Sequence, residues 1–149
     1  MLRALKRLFD EPGNNNAAPE FERRQLRLAV ATLLHESTRV DLESHPAEFA
    51  AAGRALTAIF ALDAAECATL LAAVRDKSGH LTSYFAQVSV IKRDFSLPRR
   101  IQLIEHLWRI AYAHGTLDLH EDHFVRKIAH LLYVPNTQCM LARSRAQKG

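Results

Sequence analysis

The chain has 149 residues, 48% of them hydrophobic and 24% charged, with two cysteines and a formal charge of +4. That length supports one domain with its own core, and Cys67 and Cys139 stand far apart and outside any CxxC spacing, which argues against a disulfide framework or a structural zinc site. No apolar run reaches the roughly 20 residues that span a bilayer. The basic excess is local, at Lys92, Arg93, Arg99 and Arg100 and again at Arg143, Arg145 and Lys148, not the continuous stripe of a nucleic-acid binder.

Ala and Leu are abundant while Gly, Pro and β-branched residues are scarce, so the expected fold is all-α, a compact bundle of about seven helices. The start, "MLRALKRLF", sets Leu2, Leu5, Leu8 and Phe9 against Arg3, Lys6 and Arg7, the pattern of a short basic amphipathic helix with no h-region of a signal peptide. "DEPGNNNAAPE" follows and reads as a flexible linker, so residues 1–19 form a leader and residues 20–149 the folded domain.

Phe21, Leu26, Val30, Leu33 and Leu34 recur at helical spacing and predict a helix over about 20 to 38. Pro46 suits a first turn, and Phe49, Leu56, Ile59 and Phe60 carry the next helix to about Ala61. Asp63 precedes Glu66 at capping-box spacing and opens a helix over about 64 to 77, which Ser78 and Gly79 end. Leu81, Tyr84, Phe85, Val88 and Ile91 mark a fourth main helix, about 81 to 93. Ser96, before Leu97 and Pro98, is the expected cap of a helix over about 97 to 113 with Ile101, Ile104, Leu107, Trp108 and Ala111 inward. Asp118 and Glu121 repeat the capping-box spacing and open a helix to about Tyr133, and Asn136 is the expected cap of a last one holding Met140 and Leu141.

Comparing the helix starts reveals an internal repeat. With an offset of 73, Asp41 falls on His114 and Glu48 on Glu121; after a one-residue adjustment, Ile59, Phe60 and Leu62 fall on Leu131, Leu132 and Val134, and Cys67 on Cys139. Two such units about a pseudo-twofold axis would bring both acidic turns together.

"IEHLWRIAYAHGTLDLHEDHFVRKIAHLLYV" resembles the second repeat of the TerB-like (tellurite-resistance protein B) family, which reads LWxxAxADGxLxxxExxxxRxIAxLLxV. "LLHESTRVDLESHPAEFAAAGRALTAIFALDAAE" is similar, more loosely, to its first repeat, and the resemblance covers about residues 22 to 143. It implies a helical bundle of two pseudo-symmetric halves. It also implies an acidic, metal-binding surface made from the Asp of each ADG-type turn and the Glu seven residues on. Position by position, that set is Asp41 and Glu48 in the first repeat and Glu121 in the second, where His114 stands in place of the aspartate; Leu42 replaces the glycine after Asp41.

Carboxylates alone suit Ca²⁺ or Mg²⁺, and an added imidazole tilts the preference toward Zn²⁺ or another transition metal. The candidate ligands are therefore Asp41, Glu48, His114, Asp118 and Glu121, with Ca²⁺, Mg²⁺ or Zn²⁺ as the candidate ion. Helix starts offer a second account of the same residues: Asp118 and Glu121 are explained as a capping box, and Glu48 by the dipole of its own helix. His120 and His123 share a helix side but read as surface residues. "HEDHF" is not HExxH, because Phe124 holds the second histidine's place, and an EF-hand starting at Asp118 fails at His123 and Ala129. No nucleophile elbow, P-loop or dinucleotide fingerprint occurs.

These observations give two expectations of function: a non-enzymatic TerB-like module binding a divalent metal, or a protein-interaction adaptor held at an anionic membrane surface through residues 1–9. Both place the chain in the cytoplasm, at the inner face of the membrane in the second case, with protein partners and no nucleic acid.

Overall fold

The computed structural model describes residues 12–39, 46–78 and 83–149. The basic amphipathic helix expected over residues 1–9 and the Asp41 turn lie outside them. Seven helices and no strand occur among the described residues: α1 (Pro12–Arg39), α2 (Pro46–Phe60), α3 (Ala64–Ser78), α4 (Phe85–Asp94), α5 (Leu97–Ala111), α6 (Leu119–Leu131) and α7 (Asn136–Lys148). None is long and apolar enough to cross a membrane by itself.

Two helices organise the bundle. α1 packs against α2, α3, α4, α5 and α6, and α5 packs against α1, α2, α6 and α7. Their sequences suit that central place. Val30, Ala31, Leu33 and Leu34 on α1 and Leu103, Ile104, Leu107, Trp108, Ile110 and Ala111 on α5 are wholly buried, so burial is wide around the C-terminal part of α1 and around α5 from Leu103 on. α2 brings the small residues Ala51, Ala52 and Ala55 to the interior, which lets its backbone approach its neighbours closely. The Trp108 indole donates to the Cys139 carbonyl at 3.1 Å and ties α5 to the first turn of α7.

The helix starts match expectation in part. Asp63 and Glu66 form the capping box ahead of α3, with the Glu66 amide 2.8 Å from Asp63 Oδ1 and the Asp63 amide 3.1 Å from Glu66 Oε1. Ser96 sits at the N-cap of α5 but accepts no capping hydrogen bond, and Pro98 in the first turn removes one of the amides it would have served. Asn136 is already helical, Pro135 holding the N-cap of α7. α1 starts at Pro12, so the Asn-rich stretch read as a linker is helical from there, with Pro19 inside the helix.

Two turns share a rare backbone. Ala61 after α2 and Tyr133 after α6 have φ of 57° and 56°, the left-handed region where a β-carbon is costly. Each precedes a buried aliphatic residue, Leu62 or Val134, and then a buried cysteine one turn into the next helix, Cys67 or Cys139. These pairs stand at the repeat's offset of 72.

Candidate metal centre

The turn between α5 and α6 is built tightly. The Ala113 amide donates to the Ile110 carbonyl and the Gly115 amide to the Tyr112 carbonyl, at 3.1 and 3.0 Å. Gly115 has φ of 104°, a conformation strained for any residue with a β-carbon, so glycine is required there. The turn presents His114, 15% exposed, toward the first turns of α2 and α6.

There it meets two carboxylates. His114 Nδ1 lies 2.9 Å from Glu48 Oε1 and 3.8 Å from Glu121 Oε1. Both glutamates are shut off from solvent, at 0% and 1% exposed. Each occupies the first turn of its helix, where the amide dipoles favour negative charge. One ligand atom from each of the three residues lies within 4.8 Å of the other two. Donors that share one ion at about 2.0 to 2.4 Å stand at most about 4 to 4.8 Å apart, so the three atoms lie within the span of one divalent cation.

Glu121 divides its carboxylate between two tasks. Its Oε2 accepts from the Asp118 amide at 3.4 Å while the Glu121 amide donates to Asp118 Oδ1 at 2.8 Å, the capping box expected from the sequence. Its Oε1 is the oxygen facing His114. Capping and ligation are therefore not rival accounts of this residue, since they use different oxygens. Burial pushes the Glu121 carboxyl up to about 8, and the hydrogen bond with Glu48 adds to the shift. Two carboxylates buried side by side cannot both ionise without a cation, so the pair holds a proton that an arriving metal would displace.

Of the five candidate ligands, Glu48, His114 and Glu121 come together. Asp118 adjoins them through the capping box, its Oδ1 already accepting from the α6 amide. Asp41 lies outside the described residues. His120 and His123 are exposed, as surface residues of the first turn of α6.

Residues that brace the turn carried no signal in the sequence. Arg143, on α7, donates through Nε to the Tyr112 hydroxyl at 2.9 Å, places its guanidinium over the Trp108 ring at 5.4 Å, and lies 3.5 Å from Asp122. It thus fixes the residue that opens the His114 turn, from 31 positions along the chain.

No curated protein and no solved structure matches the chain closely enough to count as a relative. The model of the family "Tellurite resistance protein TerB" matches residues 27–144, which take in α2 to α6 whole, the C-terminal part of α1, most of α7, and all three clustered side chains. The chain accordingly belongs to the TerB tellurite-resistance family.

Proposed function

We propose that this TerB domain is a non-catalytic module that binds one divalent cation through Glu48, His114 and Glu121. One observation carries the reading: three donor atoms from three separate elements converge within 4.8 Å at a site closed to solvent on its carboxylate side. Glu48 and Glu121 would supply charge, His114 would supply Nδ1 or Nε2, and the capping box would hold Glu121 Oε1 in place. Bound metal would act as a Lewis acid and a structural link between the α2 and α6 starts. Because only His114 reaches solvent, the enclosure suits holding an ion rather than turning over a substrate. The mixed donor set favours Zn²⁺ or another first-row transition ion over Ca²⁺ and Mg²⁺.

Calorimetric titration of the full chain with Zn²⁺ tests this. The expected result is one ion bound per chain, with proton release and a melting temperature that climbs with free Zn²⁺, both lost in the Glu48→Gln, Glu121→Gln double variant. Identical thermograms for wild type and double variant would sink the reading. The resulting link to tellurite resistance rests on the family alone.

A further inference from the structure

Beside the His114 turn, but separate from the carboxylate pair, a cleft of about 720 Å³ opens between α2, α5 and the end of α7. Its walls carry Arg54 from α2, His106, Arg109 and Tyr112 from α5 and its cap, and small residues such as Ala51 and Gly115. No acidic side chain lines it among the described residues. Arg54 is exposed and has no hydrogen bond or ion pair among the described residues. Arg109 spends one amino group on Glu105 at 2.7 Å, which leaves most of a guanidinium's five N–H donors for another acceptor. His106 is only 7% exposed, lines the cleft, and likewise has no hydrogen bond among the described residues.

We propose that this cleft binds a small phosphate-bearing organic molecule, its phosphate held between Arg54 and Arg109 with His106 donating from below. Two guanidinium groups on facing helices fit a dianion better than a single carboxylate, and planar forks match phosphate oxygens in pairs. Burial, with the nearby Arg109 charge, lowers the His106 pKa, so its imidazole is neutral at pH 7 and keeps one N–H to give. The volume far exceeds a bare phosphate and falls in the range of small-molecule sites, and Tyr112 with the alanines supplies apolar wall for an organic group. The inference stands independently of the metal reading, because no residue is shared between the two.

Phenyl phosphate, inorganic phosphate and phenol, titrated into the full ¹⁵N-labelled chain with a chelator present, test it. The expected result is saturable amide shifts at Arg54, Arg109, Tyr112 and Gly115, with phenyl phosphate bound at least about tenfold more tightly than either fragment. Arg54→Glu, on an exposed side chain without a partner, should leave the fold intact and weaken phenyl phosphate by about tenfold or more; Arg109→Gln should weaken it as well. Unsaturable shifts, shifts elsewhere on the surface, equal binding of inorganic phosphate, or affinity untouched by Arg54→Glu would each overturn the proposal.

Discussion

At the scale of single residues, the informative position is His114. Its family-typical counterpart is an aspartate, and here an imidazole nitrogen sits 2.9 Å from Glu48 and 3.8 Å from Glu121. A nitrogen donor among two carboxylates shifts preference from hard to borderline cations, so His114→Asp should reverse it. We expect the variant to lose about tenfold or more in Zn²⁺ affinity and to gain for Ca²⁺ or Mg²⁺, read by competition titration against a chromophoric chelator. An unchanged preference order would mean that His114 does not ligate. The sequence made His114, Glu48 and Glu121 legible because a repeat offset and a family motif both point at those positions. It could not show that Glu121 serves cap and site with different oxygens, since that depends on the rotation of one carboxylate.

At the scale of elements, the helix ends explain features that composition left unassigned. Arg99 and Arg100 read from the sequence as a local charge excess. In the fold, Arg99 donates to the Ile59 carbonyl at 2.8 Å and Arg100 to the Leu132 carbonyl at 2.6 Å, so two neighbouring arginines satisfy carbonyls left over at the C-terminal ends of α2 and α6. Their targets are 40 and 32 positions away, which is why no local pattern revealed them. Arg100 is half-buried, and Arg100→Ala should cost about 1.5 to 3 kcal/mol by removing a charged donor from a carbonyl that water reaches poorly. Urea denaturation checks this, and a loss below about 0.5 kcal/mol, the usual size of a surface effect, would contradict it. The paired left-handed residues invite the opposite change. Ala61→Gly relieves a β-carbon at φ of 57° while increasing the freedom of the unfolded chain, and the first effect is the larger. The variant should gain about 0.5 to 1 kcal/mol, or roughly 1 to 4 °C in melting temperature. Tyr133 after α6 takes the same backbone, with buried Val134 following it as buried Leu62 follows Ala61.

At the scale of the whole molecule, the helical class and the positions of most helices followed from apolar spacing, because α1, α2, α5 and α6 each bury a periodic set. What spacing could not reveal is how completely the bundle encloses the C-terminal part of α1 and the middle of α5, polar side chains included. His35 on α1 is 4% exposed, its Nε2 buried without a hydrogen-bond partner among the described residues, and His106 on α5 is 7% exposed. Burial lowers both pKa values, aided by Arg39 and Arg75 around His35 and by Arg109 beside His106. A histidine whose folded pKa is depressed binds its proton more readily in the unfolded chain, which titrates near 6.5. Both residues therefore leave stability intact above that pH, and stability falls as the pH drops from there through their folded values. Between pH 7.5 and 5.5 the raised Glu121 carboxyl works the other way, adding stability as the fold takes up its proton, so the histidines are read from a difference: the His35→Gln, His106→Gln double variant should lose less, or gain more, stability to urea than the wild type over the same interval, whatever its stability at pH 7.5. Parallel pH profiles in the two proteins would show that the two histidines contribute none of the slope. The comparison is best made with a chelator present, so that metal release on acidification does not add its own slope.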